Sequence, residues 1–218
     1  MASRPKNLQR ISGLYVILDP SFCKGISEID AARAIIRGGA RIIQWRDKAR
    51  DKGVQLPILR EVNGLCSQAG VLSIVNDHLD LAIISGADGL HVGQNDLPLT
   101  EVKPYLPDDK IVGVSTANVE EALRAQEQGA GYIAVGSIYP TSSKDGTRPA
   151  GLETLRRVAE AVSVPVVAIG GINLDNVGPV IDAGADAVCV ISAVLSAPDI
   201  EKAARDLVSG IASRQSLR

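Results

Sequence analysis

The sequence predicts one α/β domain, a (β/α)8 TIM barrel. Three observations carry the prediction. Eight short runs rich in Val, Ile and Leu recur along the chain, each nearly continuously apolar, as parallel strands buried on both faces read. Eight helix-compatible segments alternate with them, the order that a parallel sheet with crossover helices needs. The 218 residues leave about 27 per β–α unit, room for a compact barrel and no further domain. An open doubly wound sheet is the alternative. Its usual Gly-x-Gly-x-x-Gly after the first strand is missing, and Asp19-Pro20-Ser21-Phe22 stands there instead.

Residues 1–12 read as a flexible, basic arm without the apolar stretch and cleavage site of a secretory signal. The barrel domain runs over 13–218. Its first strand, 13–18, is Gly-Leu-Tyr-Val-Ile-Leu, and a helix over 28–37 follows. The second strand, 41–45, precedes a helix over 54–68, and the third, 71–75, a helix over 79–84. The fourth, 89–92, precedes a helix over 99–105. The fifth, 111–114, leads to a helix over 119–128, with Asn118 as its N-cap and Glu120 and Glu121 favourable in the first turn. After the sixth strand, 132–135, comes the longest non-periodic stretch, 136–151, and then a helix over 152–161. Long loops inside compact domains are often functional. The seventh and eighth strands, 166–169 and 187–191, precede helices over 174–182 and 199–211. Gly38, Gly70, Gly86, Gly129 and Gly184 read as left-handed residues closing helices.

Composition narrows the function. Hydrophobic residues make 45% and charged residues 22% of the chain, which excludes disorder over most of its length. Only 3% is aromatic, so Val, Ile, Leu and Ala must fill the core. The formal net charge of -2 leaves no positive surplus for nucleic acid or an anionic membrane. No apolar run is long enough to span a bilayer. Cys23, Cys66 and Cys189 are odd in number and show no C-x-x-C spacing, so reduced thiols in the cytoplasm are expected. The partners expected are small molecules, and a homo-oligomer is compatible with the sequence.

In a barrel of this type chemistry gathers where strands end, at the C-terminal mouth. Polar residues stand there in seven successive units: Gln44-Trp45-Arg46-Asp47-Lys48, Asn76-Asp77, Gly93-Gln94-Asn95-Asp96, Ser115, Thr141-Ser142-Ser143-Lys144, Gly170-Gly171 and Ile191-Ser192. Gly170 and Gly171 after the seventh strand, with Ile191 and Ser192 after the eighth, match the usual phosphate site of such barrels, where backbone N–H groups grip an anion. Asp77 and Asp96 leave adjacent strands. They either cap the helices that follow or converge on Mg2+, a hard cation that completes its octahedron with water and substrate phosphate. Arg46, Lys48 and Lys144 add cations at the same mouth, so a metal with these residues describes a diphosphate site. His91 lies within a strand and reads as packing, His78 as a rim residue, and the cysteines as inert. No strong general base or nucleophile is visible, which favours chemistry by leaving-group departure.

Taken together, Gln44-Trp45-Arg46-Asp47-Lys48, Asn76-Asp77, His91-Val92-Gly93-Gln94-Asn95-Asp96, Gly113-Val114-Ser115, Thr141-Ser142-Ser143-Lys144 and Ile169-Gly170-Gly171-Ile172 resemble the thiamine phosphate synthase family, in order over roughly residues 13–208. The resemblance implies a transferase that condenses an aminopyrimidine methyl diphosphate with a thiazole phosphate, or its carboxylate form, releasing diphosphate through a carbocation. It implies that Gln44, Trp45, Arg46, Asp47, Lys48, Asn76, Ser115 and Lys144 contact the pyrimidine diphosphate. Arg46, Ser115 and Lys144 would act in catalysis. Thr141, Ser142, Ser143, Gly171, Ile191 and Ser192 would hold the thiazole phosphate, and Asp77 and Asp96 one Mg2+. The chain departs from the family where Trp45 and Asp47 replace its usual Leu and Glu, where Ser143 stands for Thr, and where Asn118 stands for His. Trp45 faces away from its polar neighbours and reads as a packing change.

Three rivals are weighed. A thiazole tautomerase on the same barrel needs a proton-transfer residue and no diphosphate site, so Asp77, Asp96 and Lys144 favour the synthase. A phosphate-sugar epimerase would want paired acids or metal-binding histidines at the rim. A catalytically dead sensor or scaffold would have lost some of the set.

Overall fold

The structure is a computed structural model and describes residues 11–141 and 148–216. Eight parallel strands close into a barrel in sequence order: β1 (Gly13–Leu18), β2 (Ile42–Trp45), β3 (Leu72–Asn76), β4 (Gly89–Val92), β5 (Ile111–Thr116), β6 (Tyr132–Val135), β7 (Val166–Ile169) and β8 (Ala187–Val190). Closure is through β1, where Tyr15 pairs with Ile42 of β2 on one side and Cys189 of β8 on the other. The surrounding helices are α1 (Glu28–Arg37), α2 (Lys52–Ala69), α3 (Leu79–Ser85), α4 (Leu99–Val102), α5 (Val119–Glu127), α6 (Gly151–Ala161), α7 (Val177–Asp182), α8 (Ser192–Leu195) and α9 (Ile200–Gln215).

Each strand packs on both faces, so the core has two shells. Outward residues such as Val16, Ile43 and Val188 meet the helices, while inward ones such as Tyr15 and Tyr132 fill the barrel; all five are buried. Ile11, which the sequence reading puts in the arm, is 2% exposed and belongs to this core.

Departures from the sequence reading have local causes. The segment 99–105 splits into α4 and a 3-10 turn, Lys103–Tyr105; Pro104 has no N–H to continue the α-helical ladder. Helix α7 begins at Val177 rather than near 174, because Asn176 accepts the Asn173 N–H at 2.8 Å and Asn173 accepts the Asp175 N–H at 2.9 Å. Such side-chain turns compete with helical hydrogen bonds. Gly38 is right-handed, with φ -70, and Gly39 takes the left-handed conformation, with φ +91. Gly38 serves packing instead: a Cβ there would lie 2.5 Å from the Ala204 Cβ of α9. The expected cap of α5 is present, Asn118 accepting the Glu121 N–H at 2.9 Å.

Candidate active site

Strand alternation builds the site. Side chains two apart share a face of a strand, so Gln44, Arg46 and Lys48 follow one another up the inner wall. The inner positions of the other strands add Asn76, His91, Ser115 and Tyr132. They enclose a cavity of about 700 Å³ that opens at the C-terminal mouth. A second cleft, about 360 Å³, lies beside Asp182 and Asp186 at the opposite end, where barrel residues serve stability rather than chemistry.

The cavity brings together Gln44, Arg46, Lys48, Asn76, Asp77, Asp96, Ser115, Thr141, Gly171, Ile191 and Ser192. Trp45 and Asp47 are not among its lining residues, which corrects their expected place in it. The reason is parity: they occupy the alternate positions of the same segment. Trp45 is 2% exposed, its indole donating to Gln55 Oε1 at 2.9 Å, with the Arg50 guanidinium over its ring. Asp47 accepts the N–H groups of Ala49 and Arg50 at 2.9 and 3.1 Å and pairs with the Arg50 side chain. Burial pushes its carboxyl up, but those N–H groups and the guanidinium outweigh burial and hold it below the usual range. Asp47 thus fixes the loop that carries Arg46 and Lys48. Ser142, Ser143 and Lys144 lie outside the described residues.

Among the described residues, the cationic side chains at the mouth are paired. Arg46 meets the buried Asp19, Lys48 Nζ lies 2.9 Å from Asp77 Oδ2, and Arg148 forms a fork with Glu121 at 2.7 and 2.8 Å. Asp77 is the single non-glycine residue with positive φ among those described, at φ 60. Its N–H donates to the His91 carbonyl at 2.8 Å, which holds the carboxylate at the wall. The N-cap of α3 is His78, not Asp77. Asp96 spends one oxygen on the Gly93 N–H at 2.8 Å, closing its own turn. Among the described residues no three His, Cys, Asp or Glu side chains gather as a metal cage. Asp77 and Asp96 are the carboxylates that the described residues bring to the cavity wall.

Sequence reasoning missed Tyr15, His91, Tyr132 and Arg148, all of which line the cavity. The first three could have been found by parity, since each puts polar atoms on the inward face of an otherwise apolar strand. Cys189 also lines it; burial pushes its thiol well above the ordinary value, in keeping with inertness.

A polar, cation-bearing cavity at the C-terminal mouth of a (β/α)8 barrel defines an enzyme that works on small molecules. The family model of thiamine monophosphate synthase matches residues 14–194, and the chain belongs to that family. It is 47% identical to the thiamine-phosphate synthase of Methanospirillum hungatei, covering 88% of this chain and 94% of the relative. With the thiamine-phosphate synthase of Shouchella clausii it shares 45% identity over 91% of this chain and 95% of the relative. The thiamine phosphate pyrophosphorylase structure from Pyrococcus furiosus superposes with a TM-score of 0.88 at 37% identity, covering 95% of this chain and 98% of that one. The chain is therefore a transferase that makes thiamine phosphate. The tautomerase alternative finds no support in these likenesses. No helix among the described residues is long and apolar enough to cross a membrane.

Proposed function

We propose that this barrel joins a pyrimidine methyl diphosphate to a thiazole phosphate by departure of diphosphate before capture, with the substrates on opposite sides of the cavity. The observation that carries this reading is the division of the wall. Gln44, Arg46, Lys48, Asn76, Asp77, Asp96 and Ser115 come from β2 to β5 and the loops after them; Gly171, Ile191 and Ser192 follow β7 and β8. We assign the first group, with Lys144, to the pyrimidine diphosphate. The second, with Thr141, Ser142 and Ser143, takes the thiazole phosphate; Ser142, Ser143 and Lys144 enter on the family resemblance alone. Gly170 and Gly171 line this wall, and a Cβ on either would run into packed neighbours, Ser137 Cβ at 2.5 Å and the Pro140 carbonyl oxygen at 2.6 Å, so the turn needs glycine at both. The short α8 opens on the same corner, the usual place for a phosphate in this fold.

Asp77 and Asp96 are hard oxygen donors too few to enclose an ion alone, which suits Mg2+ shared with substrate phosphate. When bound there, Mg2+ supplies charge neutralisation to the diphosphate. Arg46, Lys48 and Lys144 hold the same leaving group. As the C–O bond breaks, the electron pair leaves with diphosphate, and Ser115 and the cations meet the charge that grows on it. The carbocation left on the pyrimidine is captured by the thiazole nitrogen. That step forms a C–N bond and releases no proton, so no general base is needed. Ile17, Ala134, Val167 and Ile169 wall the cavity with apolar surface that keeps water from the cation. The buried free thiols Cys23, Cys66 and Cys189 support a cytoplasmic setting.

The test supplies both substrates with Mg2+ and measures products. Equal amounts of diphosphate and thiamine phosphate are expected. Diphosphate release from the pyrimidine substrate with the thiazole phosphate withheld would support departure before capture, and failure to form thiamine phosphate from both substrates would overturn the reading.

A further inference from the structure

Five side chains from five strands form one hydrogen-bonded line across the cavity floor. Gln44 Nε2 donates to Tyr15 Oη at 2.6 Å, and Tyr15 Oη lies 3.0 Å from Tyr132 Oη. Tyr132 Oη lies 3.0 Å from His91 Nδ1, and His91 Nε2 lies 2.8 Å from Ser115 Oγ. The two ends, Gln44 and Ser115, are assigned above to the pyrimidine diphosphate; the three residues between them have no role so far. Tyr15 and Tyr132 are 1% and 0% exposed, so their hydroxyls must bond within the protein. Burial pushes both phenols upward, and they stay protonated. The line is also built for: a Cβ at Gly113 would lie 2.0 Å from Tyr132 Cζ, and the His91 ring stacks on Tyr132.

Proton counting gives the line a direction. A phenol has one proton, and a neutral imidazole has one donor and one acceptor nitrogen. Gln44 supplies an N–H to Tyr15. The Tyr15 proton then goes to Tyr132, and the Tyr132 proton to His91 Nδ1. The imidazole proton therefore stands on Nε2 and points at Ser115 Oγ. Ser115 accepts there, which turns its own proton toward the cavity.

We propose that Tyr132, backed by Tyr15, is a positioning residue that locks the Nε2–H form of His91 and so commits the Ser115 hydroxyl to donate to substrate. The proposal rests on the reading that Ser115 contacts the pyrimidine diphosphate. Without the Tyr132 hydroxyl, His91 can carry its proton on Nδ1. Its bare Nε2 then takes the Ser115 proton, and the substrate loses it.

The imidazole nitrogens report the tautomer directly. The chain has two histidines, so a His78→Gln background isolates His91. Nitrogen NMR of that protein is expected to show a protonated Nε2 and a bare Nδ1, and Tyr132→Phe to mix the two forms. In steady-state assays Tyr132→Phe should raise the KM for the pyrimidine diphosphate about 3- to 10-fold, the scale of one hydrogen bond, and leave that for the thiazole phosphate unchanged. In a Ser115→Ala background the same change should add less than about twofold, because the two residues act as a unit. An Nδ1–H imidazole in the unaltered protein would overturn the proposal, as would losses from Tyr132→Phe and Ser115→Ala that multiply. If Tyr132→Phe does not fold, Tyr15→Phe tests the same line one step back. Should the unaltered protein make no thiamine phosphate, the functional reading fails while the NMR measurement still decides the tautomer.

Discussion

Asp77 combines a backbone demand with a charge, and substitution separates them. Its φ of 60 lies where asparagine is tolerated and alanine is not. Asp77→Asn should therefore keep the thermal midpoint near that of the parent, yet lower turnover about 100-fold or more, because the Mg2+ that would offset the charge growing on diphosphate would lose a carboxylate ligand. Asp77→Ala should lose stability as well. Normal turnover of Asp77→Asn with a chelator present would remove Asp77 from the metal assignment. Much of the site at this scale was legible in the sequence through residue type and strand position, as Gln44, Arg46, Lys48 and Asn76 show. Trp45 and Asp47 enter the substrate set through the family resemblance alone, whereas strand alternation turns Trp45 away from the cavity. His91 is packed, as its place in a strand suggests, but only parity with Tyr132 and Ser115 shows that its ring nitrogens also face the cavity.

Two glycines act through the elements they join. Gly113 in β5 leaves space for the Tyr132 ring of β6. Gly113→Ala should cost about 1–3 kcal/mol by overpacking, read as a lower thermal midpoint; an unchanged midpoint would show that the barrel interior gives way. Gly171 follows β7 at φ +65, and a Cβ there would lie 2.6 Å from the Pro140 carbonyl oxygen. Gly171→Val should strain the turn and push on the segment that carries Thr141. The KM for the thiazole phosphate should then rise far more than that for the pyrimidine diphosphate, and equal increases would point to general damage. Strands were the legible elements, since an inner and an outer packed face leave an unbroken apolar run. Short turns were not: α8 has four residues, too few for any helical period to show.

At the scale of the molecule, counting units was enough to predict closure, but not which loops brace one another across the mouth. Glu121 lies in the first turn of α5, and Arg148 lies in the long stretch after β6, where the sequence singled out Thr141 to Lys144 and not Arg148. Their paired hydrogen bonds, at 2.7 and 2.8 Å, tie two neighbouring units at the cavity edge, and the Arg148 carbonyl takes the Ser137 N–H at 3.0 Å. The Arg148 fork draws the Glu121 carboxyl below its ordinary 4.5; burial opposes it, and the Ala117 N–H adds to the lowering. The folded state thus holds fewer protons here than the unfolded chain, so the contribution is complete above 4.5 and is lost as pH falls through the lowered folded value. Glu121→Gln should be less stable than the parent at neutral pH. The gap should close as acid protonates the parent's carboxylate, while acid sensitivity from other lowered groups such as Asp47 stays in both proteins. Urea unfolding midpoints taken in steps from neutral pH to well below 4.5 measure that gap. A gap of constant size at every pH would mean that Glu121 holds the mouth by shape and hydrogen bonding alone, with no share in the charge.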